Sequence, residues 1–226
     1  MTAAQSSWPW VALLALGAYH GVNPGMGWLF AVALGLQEKR RRAVLQAIPP
    51  LVLGHLISVG AIVALVVALE ATLPVSLLRI VAAIVLIAFG LSRLVRARHP
   101  RWVGMQVGFR DLTLWSFLMA SGHGAGLMLV PIILSWPRNT STIHATSGMG
   151  HAIHLPAGVH SAALGKPTLW LLAVGVHTFA YLAVMALVAF LVYVKFGVAI
   201  LRSAWLNLDL IWAIVLMATG VLTLFL

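Results

Sequence analysis

Nine histidines stand out in a sequence of 226 residues that contains no cysteine. Neutral imidazole is a good ligand for nickel, cobalt, zinc and copper, and histidine also relays protons or binds an anion when protonated. His20, His55, His123 and His177 each fall inside a long apolar stretch. His144, His151, His154 and His160 crowd one polar segment, and only His99 lies elsewhere. His20 is followed by Asn23-Pro24-Gly25, and His123 sits among Gly122, Gly124 and Gly126 with Pro131 beyond. Pro24 lacks an N–H and crowds the carbonyl of His20, so a helix is expected to unwind there and release carbonyls beside the imidazole. Met26 and Met128 follow the two histidines at short distance. Their thioethers would tilt a metal site toward Cu(I), or they fill gaps in the core as flexible apolar side chains. The lack of cysteine excludes disulfides, Cys metal sites and thiol redox chemistry.

The elements that must position these histidines are apolar. Hydrophobic residues make up 62% of the chain and charged residues 8%, against about 25% charged in an ordinary soluble domain. A soluble fold of this size has too little interior to hide so much apolar surface. A helix crossing a bilayer needs about 20 mostly apolar residues, and six stretches qualify: Trp8–Leu36, Ala43–Leu69, Leu73–Leu94, Leu112–Trp136, Thr168–Val194 and Trp205–Leu226. The fold class expected is therefore all-α, a polytopic integral membrane protein of six transmembrane helices. No Lys or Arg precedes the first stretch, so it is not expected to be a signal peptide.

The net charge of +10 is placed with a pattern. Lys39 to Arg42 follow the first stretch, Arg93, Arg96, Arg98, Arg101 and Arg110 surround the loop after the third, and Lys195 and Arg202 follow the fifth. The positive-inside rule puts those loops in the cytoplasm and both termini outside. The expected location is a bacterial inner (cytoplasmic) membrane. The positive charge then serves orientation and contact with anionic lipid, and nucleic acid is not among the expected partners.

The chain also repeats itself. Leu78–Gly90 and Leu208–Gly220 align without gaps with seven of thirteen positions identical. The second and fifth stretches align around His55 and His177, and the first and fourth each hold a central His-Gly. Three spans per half is an odd number, so the halves would have opposite orientation: an inverted 3+3 repeat, which is a transporter signature with the site near the bilayer midplane. The chain reads as a single membrane domain over 1–226, with repeat one over about 1–110 and repeat two over about 111–226.

The run His20-Gly-Val-Asn23-Pro24-Gly25-Met26 resembles the H-x-x-x-P-G-H motif in the first helix of NicO-type nickel/cobalt transporters. These are similar to the HupE/UreJ, lysine-exporter and DsbD-like groups in a wider superfamily of six-helix membrane proteins. His20, Pro24 and Gly25 match at the motif's own spacing, and Met26 stands where the family carries its second histidine. The resemblance implies a six-helix inverted repeat and transport of a transition metal. The electron-carrying chemistry of the DsbD-like members does not extend to a chain without cysteine.

Residues 137–167 form a His-rich outer loop, with Met149 beside its four histidines. Such a loop could collect metal ions before entry or receive them after exit, and it resembles the His-rich segments of several divalent-metal transporters.

The leading expectation is a secondary transporter moving Ni, Co, Cu or Zn by alternating access. Its substrate-binding residues are His20, Asn23, Pro24, Gly25, His55, His123 and His177. Its metal ligands are drawn from His20, His55, His123, His177, Met26, Met128, His144, His151, His154 and His160. The alternative is the same fold carrying a small anion, a thiol compound or an amino acid. Further alternatives are an intramembrane His-metal enzyme and an assembly subunit. An enzyme is not expected, because only His151 and His154 approach the clustered pairs that di-iron enzymes use, and no phosphate-cradling motif is present. No tightly bound cofactor is expected, the metal being the substrate. The partners implied are the lipid bilayer and a metal ion or small solute, with a homo-oligomer left open. A cysteine introduced at Ser141 should be labelled by an impermeant maleimide from outside intact cells. Labelling only after permeabilisation would reverse the orientation.

Overall fold

The computed structural model describes residues 3–95, 108–136, 166–196 and 208–225, and every regular element among them is helical. Helix α1 covers Ala3–Val22, a 3₁₀ turn Pro24–Met26, and α2 Trp28–Gln37. Helix α3 is Arg41–Glu70 and α4 is Val75–Val95. Helix α5, Phe109–Gly122, is followed by a second 3₁₀ turn, Leu127–Leu129, and the short α6, Val130–Leu134. Helix α7, Lys166–Leu191, runs into a π-helical turn, Val192–Phe196, and α8 is Leu208–Thr223. The first and fourth apolar stretches are thus broken where Pro24 and the glycines beside His123 foretell it, the second and third each hold one long helix, the fifth passes into the π-helical turn, and the described part of the sixth is helical over Leu208–Thr223.

Three helices among the described residues are individually long and apolar enough to cross a membrane: Arg41–Glu70, Val75–Ser92 and Pro167–Lys195. Phe109–Gly122 with Leu127–Leu134, bent by 47°, makes a fourth if the pair is one span. Only 28–39% of the most apolar window of each of the three lies buried inside the protein. Leu171, Phe179 and Ile84 face outward at 73%, 67% and 60% exposure. An apolar surface this continuous is a liability in water and is compatible with a membrane protein, whose outer surface lipid covers.

Glycines set the helix contacts. On α1, a Cβ at Gly17 would collide with the His177 carbonyl oxygen, and one at Gly21 would lie 2.7 Å from that of Tyr181. The contact advances four residues on each helix, so α1 and α7 run parallel. On α3, a Cβ at Gly54 would meet the Thr113 carbonyl oxygen of α5. Ser116 donates to the Leu51 carbonyl at 2.5 Å, and Ser58 and Ser121 hydrogen-bond at 2.9 Å. From Leu51–Ser116 to Ser58–Ser121 the hydrogen-bonded contacts advance along both helices, so α3 and α5 are parallel. The α4–α8 pair is antiparallel and reciprocal. A Cβ on Gly90 would lie 2.9 Å from the Ala213 carbonyl oxygen, and one on Gly220 would lie 3.0 Å from that of Ala83. Each glycine faces the residue seven before the other.

Small residues at such crossings let backbones approach where lipid supplies no hydrophobic drive between helices. Gly17→Ala and Gly220→Ala should each destabilise the protein by about 1–3 kcal/mol through overpacking. Gly60→Ala and Gly175→Ala, where nothing lies within 4 Å of the added carbon, should be neutral. Thermal unfolding in detergent separates the two sets, and equal melting temperatures across all four would refute the contact argument.

Candidate functional site

Three helices deliver three imidazoles to one place. His20 sits in the last full turn of α1, His55 in the middle of α3 and His177 in the middle of α7, and all three are fully buried. The close approach of α1 and α7 at Gly17 sets the His20 and His177 ring centroids 5.1 Å apart at 78°. His55 lies 5.7 Å from His20, edge to face, and 5.5 Å from His177, stacked at 17°.

Hydrogen bonds hold two of these rings, those of His20 and His177, in defined tautomers. His20 Nδ1 is 2.6 Å from the Leu16 carbonyl one turn back on its own helix. His177 Nδ1 is 3.3 Å from the Leu13 carbonyl, across the helix interface. A carbonyl only accepts, so each Nδ1 carries the hydrogen and Nε2 is left with its lone pair. Nε2 of His20, Nε2 of His177 and both ring nitrogens of His55 are buried without a partner. Unpaired buried polar atoms are costly. A carbonyl bond at Nδ1 with Nε2 bare is also the arrangement that orients a metal-ligating histidine.

His123 follows His20 in local design and differs in place. Its Nδ1 lies 2.7 Å from the Met119 carbonyl, again one turn back. It is the C-cap of α5, and Gly124 after it takes φ +70°, a left-handed conformation that favours glycine. A Cβ on Gly25 would lie 3.6 Å from His123 Cε1 and 3.5 Å from Met119 Cε, so the Asn-Pro-Gly turn packs beside His123. Trp212 touches both His123 and His20. Its ring centroid is 5.3 Å from that of His123 and 4.7 Å from that of His20, edge to face with both.

The break in the first stretch is closed by protein donors. Asn23 N–H donates to the His20 carbonyl at 3.2 Å, and Gly25 N–H to Asn23 Oδ1 at 2.9 Å. Trp28 Nε1 donates to the Val22 carbonyl at 2.9 Å, and the Tyr181 hydroxyl donates to the Met26 carbonyl at 2.7 Å. The helix therefore unwinds as Pro24 dictates, and these three carbonyls are engaged with donors of the chain. Met26 is buried in the main core with Leu13 and Trp28, and Met128 with Leu86, Trp212 and Leu216. His144, His151, His154 and His160 lie outside the described residues. Among the described residues, no group of three or more His, Asp or Glu side chains is arranged to hold a metal ion as it stands.

Reasoning from the sequence overlooked Tyr181 and Trp212. Tyr181 is four residues after His177, hence on the same helix face, and it stacks on His55 at 4.0 Å and 15°. Trp212 stands where the aligned first repeat has Ala82. Both were signalled by an aromatic with a polar tip inside an apolar helix, which must find a partner when buried. Compared with known proteins, the chain matches no family model, no curated protein and no solved structure.

Tyr181→Phe should lower stability by about 1–3 kcal/mol, because the buried Met26 carbonyl loses its donor. Thr178→Val should cost nothing, since that buried hydroxyl already lacks a partner. Denaturation monitored by circular dichroism in detergent tests the pair, and a Tyr181→Phe protein as stable as the parent would show that the bond is dispensable.

Proposed function

We propose that this protein is a secondary transporter that moves a transition-metal cation (Ni, Co, Cu or Zn) through a mid-membrane site built on His20, His55 and His177. One observation carries the reading. Three imidazoles from three helices meet away from water, and each has an unpartnered Nε2. Zn–N bonds of about 2.1 Å would hold the ring centroids of three ligands roughly 5 Å apart, close to the 5.1–5.7 Å found here. Reorientation of the rings, His55 above all, would turn the nitrogens toward a common centre. Among the described residues the buried polar side chains include no carboxylate. A dication held by neutral ligands alone keeps its charge, which favours release over permanent residence, as conduction requires.

Several contacts support a six-span inverted 3+3 repeat with alternating access. The pairing of α1 with α7 corresponds to that of α5 with α3 when the halves are exchanged, and both pairs are parallel. The reciprocal Gly90–Ala213 and Gly220–Ala83 contacts are what a two-fold relation of antiparallel helices produces. His20 and His123 make the same hydrogen bond one turn back. In the reading that places both termini outside a bacterial inner membrane, a cavity of about 370 Å³ lined by Glu38, Gln46, Pro50 and Leu112 opens at the cytoplasmic end. It gives water and solute an approach from that side.

The stacking of His55 on His177 keeps those rings side by side rather than nitrogen to nitrogen. That favours a second reading, the same fold carrying a small anion, thiol compound or amino acid.

Equilibrium binding of Ni²⁺ to the purified protein, with uptake into proteoliposomes, tests both. His20→Ala, His55→Ala and His177→Ala should each weaken Ni²⁺ binding by about tenfold or more, the loss of one ligand being worth over ~1.4 kcal/mol, and should abolish uptake. A protein that binds none of the four metals, but whose variants stop uptake of another solute, would leave the second reading standing. Unchanged uptake in all three variants would remove the site.

A further inference from the structure

The four membrane histidines belong to two repeat-related pairs, yet they group as three and one. The side chain in contact with members of both groups is Trp212, which is 1% exposed. It meets both His20 and His123 at steep interplanar angles, 85° and 80°. Its indole N–H donates to the His123 carbonyl at 2.5 Å, an oxygen at the end of α5 where the helix breaks. Tyr19 lies flat against the indole at 5.1 Å and 3°. Leu86, Met128 and Leu216 are buried in the same apolar cluster. On α4 the aligned residue is Ala82, a methyl group, so the partition exists on one half only.

We infer that Trp212 is the gating residue of the pathway: its indole seals His123 and the Asn-Pro-Gly turn from the His20–His55–His177 cluster, and solute passes between the two when the indole swings out. This rests on the transport reading and adds to it. A transporter of this kind must never connect both sides at once, so a side chain has to block the route while the site is filled. Trp212 has the size to do so. It is held by one hydrogen bond and one stack, a latch that movement of the broken α5 carries with it, because the bond runs to that helix's C-cap. Neither of its histidine contacts is a hydrogen bond to the ring, so outward rotation leaves both imidazole Nδ1 anchors intact.

The test compares downhill flux of Ni²⁺ and of tetramethylammonium, a cation that no imidazole ligates, in proteoliposomes holding the wild-type protein, Trp212→Ala or Trp212→Phe. Wild type should pass Ni²⁺ and exclude tetramethylammonium. Trp212→Ala leaves a space the size of the indole and should raise Ni²⁺ flux about tenfold while admitting tetramethylammonium, since removal of a constriction relaxes selectivity. Trp212→Phe keeps most of the ring but loses the latch, and should raise Ni²⁺ flux by a smaller factor. If Trp212→Ala does not yield monodisperse protein, the Phe variant decides. Variants that pass Ni²⁺ at the wild-type rate or slower, and still exclude tetramethylammonium, overturn the gate while leaving the transporter. Wild-type protein that passes no Ni²⁺ overturns metal transport itself, and the gate with it.

Discussion

A chain that interrupts a helix away from water must find a donor for every carbonyl it releases. That constraint shapes the centre of this protein. Pro24 ends α1, and the glycines around His123 end α5. Each break leaves oxygens that neither an apolar surrounding nor a continuing helix can serve. Backbone N–H groups of the turns serve some of them, as Asn23 does for His20, and three more are served by aromatic side chains: Trp28 to Val22, Tyr181 to Met26, and Trp212 to His123. These rings are therefore fixed in place by backbone chemistry before any question of solute arises. Fixed there, they become the walls of the histidine cluster, with Tyr181 stacked on His55 and Trp212 set against His20. The same bonds that make a broken helix tolerable also position the candidate site.

The second requirement is proximity. Imidazoles on separate helices meet only if the backbones come close, and Gly17, Gly21 and Gly54 permit that approach. A methyl group at any of them would push a helix outward and separate the rings it carries. Packing and site are linked through these positions, so a substitution well away from the histidines is expected to reach them.

Much of the architecture was legible in the sequence. Apolar length located the helices, and Pro24 and the glycines of 122–126 located the two breaks. The burial of His20, His55, His123 and His177 followed from their place within apolar stretches. What composition could not convey was grouping. A helical period says which residues share a face, but not which faces meet, so nothing in the spacing told that His123 would stand apart. The release of carbonyls was foreseen and their capture was not, because Trp28, Tyr181 and Trp212 are remote in sequence from most of what they serve. The tautomers of His20 and His177 also depend on carbonyl positions that exist only once the helices are formed. The methionines, equally readable as soft ligands or as packing, are buried among apolar neighbours.

His20 and His177 both rest their Nδ1 on carbonyls of α1, but in different ways. The bond from His20 to Leu16 stays within one helix, and the bond from His177 to Leu13 crosses between two. Rigid-body sliding of α1 against α7 would leave the first untouched and break the second. His177 would then lose the only contact that selects its tautomer, and its ring would be free to turn. The donor set at the centre of the bundle is thereby coupled to the relative position of the two helices, so that a shift in one changes what the other can bind.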